Sequence, residues 1–174
     1  SWNTQTGFLS PGQNIRDFGI TSFDNLWVIY EDNLSHINVK RSTDGGASWF
    51  LTTNDIGGYG YKIFVLDKLN AWIIAGNNLS GIFRTKDGGT TWVYNPILST
   101  ANVPANLHFV NSNLGYYLSL YGQLFGTKNG GLSWKSLYNQ HLGRNFFISG
   151  GVPIAIGGSY GRFFTLDSWT QMCN

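Results

Sequence analysis

The chain has 174 residues, a formal net charge of +2 and only 11% charged residues, against 16% aromatics and 23 glycines. Such a length can bury a substantial core, and the scarcity of charge, with Glu31 the sole glutamate and no apolar run at helical spacing, points to all-β structure with many tight turns. The 11 basic and 9 acidic residues form no basic run or stripe, which excludes the usual footprint of a nucleic-acid partner. Apolar stretches fall far short of the roughly 18 residues of a bilayer-spanning helix, so no membrane insertion is expected. Cys173 stands alone and allows neither an intrachain disulfide nor a thiolate metal site.

In chain order, Ser1-Trp2-Asn3-Thr4-Gln5-Thr6 reads like the end of a turn followed by an outgoing strand. A first unit of about 15–53 follows, with strand candidates at Ile15–Phe18 and Asn25–Tyr30 and the turn sentence Ser42-Thr43-Asp44-Gly45-Gly46-Ala47-Ser48-Trp49. A second unit, about 61–94, carries Ile63–Val65, Ala71–Ala75 and Thr85-Lys86-Asp87-Gly88-Gly89-Thr90-Thr91-Trp92. A third, about 106–137, carries Leu107–Val110, Gly115–Leu120 and Thr127-Lys128-Asn129-Gly130-Gly131-Leu132-Ser133-Trp134. The fourth, about 144–172, carries Phe146–Ile148, Val152–Gly157 and an eroded turn, Thr165-Leu166-Asp167-Ser168-Trp169, that lacks the double glycine.

The turn sentence has a physical logic. Asp-Gly and Gly-Gly supply residues that accept positive φ, and the Asp or Asn side chain accepts from nearby backbone N–H groups. Ser42, Thr85 and Thr127 can add a hydroxyl bond, and Trp49, Trp92 and Trp134 are expected to open the outgoing strand and bury an indole. The turn therefore reads as a structural staple rather than a ligand site. Asp44, Asp87 and Asn129 recur at intervals of 43 and 42 residues, a period that suits one four-stranded unit per repeat.

The pattern Ser/Thr-x-Asp-x-Gly-x-x-Trp resembles the Asp-box, or bacterial neuraminidase repeat. The resemblance implies an all-β propeller of four-stranded antiparallel blades, about four of them in a single domain over residues 1–174, with residues 1–6 as the outer strand of a preceding or closing blade. Asp44, Trp49, Asp87, Trp92, Asn129, Trp134, Asp167 and Trp169 are then structural box residues at the blade edges. Two expectations follow for closure. Either further blades of a longer protein complete the ring, which the start within a turn favours, or the strand at Trp2–Thr6 seals a small ring. An unsealed edge strand would invite association. Gly81 to Trp92 is also similar in phrasing to the photosystem II assembly-factor type of Asp-box propeller, which implies protein binding without catalysis, and sortilin-type propellers share the box.

Box-bearing families include sialidases and xyloglucanase-like glycoside hydrolases, whose catalysis rests on arginine and carboxylate sets. Arg41 and Arg84 lie in strands that lead into turns and are expected at the blade periphery, which leaves Arg16, Arg144 and Arg162 as a nominal carboxylate-binding trio with Glu31 as the only glutamate. The sialidase Arg-Ile-Pro signature is missing. Carboxylates outside the boxes are Asp17, Asp24, Glu31, Asp32, Asp55 and Asp67. Asp24 and Asp67 occupy turn positions, while Glu31, Asp32 and Asp55 are expected in loops as solvated groups, so no acid/base pair emerges from spacing. His36, His108 and His141 are isolated and read as structural. No metal or cofactor is called for.

Recognition is the better-supported reading. Loops at a propeller face form a rigid platform on which exposed aromatics can stack on sugars or anchor proteins. The expected contact set is Tyr59, Tyr121, Tyr160 and Arg162, with His141 and Arg144 as polar accessories. The sequence thus predicts a non-catalytic recognition or scaffolding propeller that binds a protein or carbohydrate, with a glycoside hydrolase as the alternative. Abundant Asn, Ser, Thr and Gly with low charge point to a secreted, periplasmic or cell-surface setting.

Overall fold

The computed structural model describes residues 7–53, 56, 59–76, 80–97, 103–138, 142–143, 145–157 and 162–165, with the backbone alone for 59–61, 155–157 and 162–165. Asp55, Asp167, Trp169 and the segment 1–6 lie outside the described residues. Among the described residues fifteen strands form four sheets. The first holds β1 (Asn14–Ser22), β2 (Asn25–Glu31), β3 (Ile37–Ser42) and β4 (Phe50–Thr53). The second holds β5 (Tyr59–Val65), β6 (Ala71–Gly76), β7 (Gly81–Thr85) and β8 (Val93–Pro96), and the third β9 (Pro104–Phe109), β10 (Gly115–Ser119), β11 (Leu124–Thr127) and β12 (Lys135–Tyr138). Among the described residues the fourth has three strands, β13 (Asn145–Ser149), β14 (Val152–Gly157) and β15 (Arg162–Thr165). Each sheet is an antiparallel meander in sequence order. The chain divides into two compact units, Ser1–Leu79 with Phe83–Tyr94, and Ser80–Ile82 with Asn95–Asn174.

The repeated turn is built three times with one geometry. The last residue of β3, β7 and β11 is Ser42, Thr85 and Thr127, and its hydroxyl accepts from the N–H of Gly46, Gly89 and Gly131 at 2.8, 2.9 and 2.9 Å. The same hydroxyl donates to Oδ1 of Asp44, Asp87 and Asn129 at 2.8, 2.8 and 2.9 Å. That oxygen in turn accepts from the N–H of Ser48, Thr91 and Ser133 at 2.9, 2.9 and 3.0 Å. The two glycines of each turn have φ near +72° and +90° (72 and 89, 72 and 91, 71 and 92), a region that penalises any Cβ. Asn129 reverses one bond. Its Nδ2 donates to Ser133 Oγ at 2.8 Å, where Asp44 and Asp87 accept from the hydroxyls of Ser48 and Thr91 at 2.5 and 2.6 Å. Trp49, Trp92 and Trp134 stand one residue before β4, β8 and β12 rather than opening them, because each still belongs to the turn.

The central strands are buried on both faces, which explains their unbroken apolar runs (Trp27 to Tyr30, Ala71 to Ala75, Tyr116 to Leu118). In the first unit, Trp27, Ile29, Ile37 and Val39 of the first sheet pack on Ile63, Val65, Ala71 and Ile73 of the second. Full burial of an indole such as Trp27 stabilises by on the order of 4–6 kcal/mol in gross transfer terms. Its N–H donates to Asn25 Oδ1 at 3.0 Å, and Asn25 donates to Thr21 Oγ1 at 2.5 Å, so the buried polar atoms are satisfied. The two sheets approach closely at Gly19, where a Cβ would lie 2.3 Å from Val65 Cγ2. Beside it Asp17 Oδ2 accepts from the Ile63 N–H at 2.9 Å. In the second unit, Tyr116, Leu118 and Leu124 of the third sheet pack with Leu142 and with Phe146 of the fourth.

Two predictions follow from these contacts. Gly19→Ala must push Val65 and should lower unfolding free energy by about 1–3 kcal/mol in chemical denaturation, and an unchanged midpoint would contradict the close approach. Hydrogen bonds from Ser48 and Ser42 hold the Asp44 carboxyl down to about 2, and bonds from Thr91 and Thr85 lower Asp87 in the same direction. A carboxyl depressed on folding stabilises above its unfolded value and loses that contribution as pH falls. Stability should therefore decline as pH drops from about 4 towards 2. The double variant Asp44→Asn/Asp87→Asn, which copies Asn129, should show a flatter profile over that window; identical profiles would count against the assignment.

Candidate recognition surface

Register places the turns of each sheet at two opposite ends. In the first sheet Leu26 pairs with Ser42 at one end and Glu31 with Ile37 at the other, so the β1–β2 and β3–β4 turns share one end. The third sheet repeats this, with Gly115 opposite both Thr127 and Phe109. At that end the repeated turn is tied to its neighbour: Gly88 N–H donates to Leu69 O at 3.0 Å and Gly130 N–H to Asn113 O at 2.7 Å. The other end carries the hairpin between the second and third strands together with the start of the first. It is free of the staple.

Of the sequence-predicted contact residues, Tyr59, Tyr121 and Arg162 fall at this second end of their own sheets. Tyr59 starts β5 opposite Gly76, and Arg162 starts β15 opposite Gly157; their backbones are described, their side chains are not. Tyr160, between β14 and β15, and His141 and Arg144, between β12 and β13, lie outside the described residues. Tyr121 is fully described. It sits on the β10–β11 hairpin and is 63% exposed, beside the exposed Leu120. That hairpin is braced on all sides. Ser119 N–H donates to Gln123 O at 2.9 Å, Gly122 N–H to Ser119 O at 2.9 Å, Leu120 N–H to Val103 O at 2.8 Å and Leu142 N–H to Gly122 O at 2.9 Å. Leu142 is buried in the core of the second unit, so the hairpin is anchored through it. Tyr121 is thus an exposed ring on a rigid mount, the arrangement that binding anchors use.

The first sheet has a counterpart that sequence reasoning missed. Leu34 is 75% exposed at the β2–β3 hairpin, where Asp32 Oδ1 accepts from the N–H groups of Leu34 and His36 at 2.9 and 3.0 Å. Its only signal is an apolar residue inside Asp-Asn-Leu-Ser-His, a loop that otherwise reads as polar. His36 Nδ1 lies 3.4 Å from Asp32 Oδ2, and His108 is half-buried on β9, its pKa lowered by burial.

The described carboxylates are engaged in structural roles. Glu31, expected as a solvated loop residue, is instead the buried last residue of β2 and is ion-paired with Arg16. The strand pairing of Asn14 and Ile15 with Glu31 and Tyr30 brings the two together. That pairing also removes Arg16 from the nominal trio. Arg41 and Arg84, expected at the periphery, are buried, with guanidinium carbons 4.8 Å from the Trp27 ring and 6.0 Å from the Trp72 ring. Arg41 donates to Asn25 Oδ1 at 3.3 Å and Gly88 O at 3.2 Å. Asp24 takes the Lys68 ammonium at 2.7 Å and the Ser22 hydroxyl at 2.6 Å, which hold it down to about 2. Burial raises Asp32 and Asp67, but turn hydrogen bonds outweigh it and both are lowered. Every carboxyl shift resolved among the described residues runs downward, opposite to what a general acid needs.

No family model matches the chain, and no curated protein matches it. Solved structures do. YCF48 bound to a D1 peptide superposes with a TM-score of 0.66 at 17% identity, covering 91% of this chain and 52% of that one. YCF48 from Cyanidioschyzon merolae gives 0.64 at 18% identity, with 94% and 56% coverage. The fold is that of a β-propeller. A third propeller, the GH74 enzyme of Niastella koreensis, gives 0.64 at 13% identity and covers 91% of this chain but 29% of its own. At these identities the likeness is one of fold, and the chain spans about half the length of the YCF48 chains it matches.

The braced hairpin makes a separable prediction. Tyr121→Ala should leave the melting temperature within about 2 °C of wild type, whereas Leu142→Ala should cost about 2–3 kcal/mol. A large loss in the first variant would make Tyr121 a packing residue.

Proposed function

We propose that the chain is an Asp-box propeller module that recognises a protein partner through the hairpin end of its sheets, without catalysis, in a secreted or cell-envelope protein. The supporting observation is the separation of ends. Within each sheet considered by itself, the hydrogen-bonded turns occupy one end, while the hairpin side chains (Leu34 in the first sheet, Leu120 and Tyr121 in the third) and the backbone starts at Tyr59 and Arg162 lie at the other end of their own sheets. Exposed apolar and aromatic side chains on hydrogen-bonded mounts bind with little ordering cost. The structural roles of Asp17, Asp24, Glu31, Asp32 and Asp67 support binding over hydrolysis. Among the neighbours, YCF48 has been solved with a D1 peptide, and an extended peptide is the partner class this surface suits. Tyr160, Arg162, His141 and Arg144 complete the proposed contact set.

The GH74 neighbour keeps a glycoside-hydrolase or carbohydrate-binding reading as the alternative. An immobilised peptide library, a glycan array and a fluorogenic glycoside panel, run on wild type and on Tyr121→Ala/Tyr160→Ala, separate the two. Peptide binding that falls at least tenfold in the double variant, with an unchanged melting curve, is the expected result. Turnover of a glycoside that disappears on changing one carboxylate would refute it.

A further inference from the structure

The third repeated turn is built on a chemically fragile pair. When Asn precedes Gly, no side chain shields the glycine nitrogen, and that nitrogen can attack the Asn side-chain carbonyl carbon. Asn129–Gly130 is the one Asn-Gly pair in the chain. Asp44–Gly45 and Asp87–Gly88 are its acidic counterparts. A carboxyl enters this reaction in its protonated form, however, and the bonds from Ser48 and Thr91 that lower Asp44 and Asp87 keep both ionised at neutral pH. Asn129 has no such protection by charge.

Its protection is geometric. For the attack, the Gly130 nitrogen must give up its proton and the Asn129 side chain must swing its Cγ onto that nitrogen. In the closed turn the Gly130 N–H instead donates to Asn113 O at 2.7 Å. Asn129 Oδ1 accepts from the Thr127 hydroxyl and the Ser133 N–H at 2.9 and 3.0 Å, and Nδ2 donates to Ser133 Oγ at 2.8 Å. The swing must break these bonds. The carbonyl that holds Gly130 is itself braced, because Asn111 Oδ1 accepts from the N–H groups of Asn113 and Leu114, both at 2.9 Å.

The tether on the glycine nitrogen differs between turns. Leu69, Asn113 and Asp24 occupy one position, two residues before Ala71, Gly115 and Leu26, which pair with Val65, Phe109 and Ile20. Leu69 O accepts from the Gly88 N–H at 3.0 Å, as Asn113 O does from Gly130. Behind each stands an Asx turn, on Asp67 and on Asn111. In the first sheet Ser22 takes that place, its hydroxyl donates to Asp24 Oδ1 at 2.6 Å, and the strand register shifts between Ile20 and Ser22. Among the described residues no bond joins the Gly45 N–H to Asp24 O. The first turn therefore has the side-chain cage of the other two and lacks the tether.

We propose that Asn129–Gly130 is a self-modification site gated by its own turn: the closed turn blocks intramolecular deamidation, and local opening admits it. In the open state a solvent base takes the Gly130 amide proton, the nitrogen bonds to Asn129 Cγ, and Nδ2 leaves as ammonia, which gives a cyclic imide. Water then adds across one of the two imide C–N bonds. Cleavage on the Cγ side leaves aspartate at position 129, and cleavage on the main-chain side leaves isoaspartate. Ammonia is lost, water is gained and nothing is oxidised or reduced. The aspartate offers its oxygens to Thr127 and Ser133 as Asp44 does to Ser42 and Ser48, so the turn closes again with one more negative charge. The isoaspartate lengthens the main chain ahead of β12 and displaces Trp134. The site stands apart from the recognition surface, which lies at the other end of the third sheet.

Peptide mapping by mass spectrometry during incubation at neutral pH follows the amide-to-acid conversion in the full chain. Position 129 should convert at least about tenfold more slowly in the folded chain than in the same chain unfolded in guanidinium. The double variant Asp44→Asn/Asp87→Asn places the same dipeptide in all three turns of one molecule. With a melting curve that confirms folding, its untethered site at position 44 should convert about threefold or more faster than those at 87 and 129, the rate equivalent of one lost hydrogen bond. If the double variant does not fold, Asp44→Asn alone, compared with position 129 of the same chain, makes the same measurement. Equal rates at position 129 in the folded and unfolded chain overturn the proposal. So does a position 44 that converts no faster than 129 in the folded variant, since the tether would then contribute nothing to the gate.

Discussion

Three of the four sheets each depend on one hydroxyl. The Ser42, Thr85 or Thr127 oxygen ends the third strand, accepts from a glycine N–H and donates to the acidic or amide side chain two residues on. The chain reverses there through two residues at positive φ, which costs conformational entropy and strands backbone donors. Without side-chain acceptors those donors would face water or each other. With them, the turn is fixed well enough to set the register of the outgoing strand and to deliver an indole to the sheet. Repetition with one geometry, even where Asn129 replaces a carboxylate, shows that the acceptor oxygen matters more than the charge.

Fixed turns in turn set the faces of the sheets. Because register alternates side chains, Trp27 and Ile29 reach one neighbour while Phe18 and Ile20 face the opposite way. The close approach of Gly19 to Val65 and the Asp17 bond to the Ile63 backbone work only in that register. The polar interior follows the same logic. Arg41, buried over Trp27, is held by Asn25 and a carbonyl of the next repeated turn, so a charge that would be costly in an apolar core instead links two sheets. The hairpins at the far end are left to display side chains, and Tyr121 can be exposed because its mount is already satisfied.

Much of this was legible in the amino-acid sequence, for physical reasons. Positive-φ glycines next to Asp or Asn have few alternatives to a tight turn, so the three turns and their spacing could be read directly, and strands β2, β6, β10 and β14 fell within a residue of their expected ends. The misreadings share a cause: composition shows that a residue is charged but not which strand it will be paired against. Glu31 looked like a loop carboxylate until strand pairing set it beside Arg16. Arg41 and Arg84 were expected at the blade periphery because their strands lead into the repeated turns, and their burial depends on a tryptophan in the adjacent strand. Leu34 carried no signal, since exposure of one apolar residue in a polar hairpin is a property of the folded surface.

The account rests most directly on the side-chain acceptors of the repeated turn, and amide hydrogen exchange observed by NMR reads them one by one. The N–H groups of Gly46, Gly89 and Gly131 and of Ser48, Thr91 and Ser133 lie in turns yet should be protected well beyond the random-coil rate, as strand amides are. Exchange of all six at the rate of an unstructured peptide would contradict it.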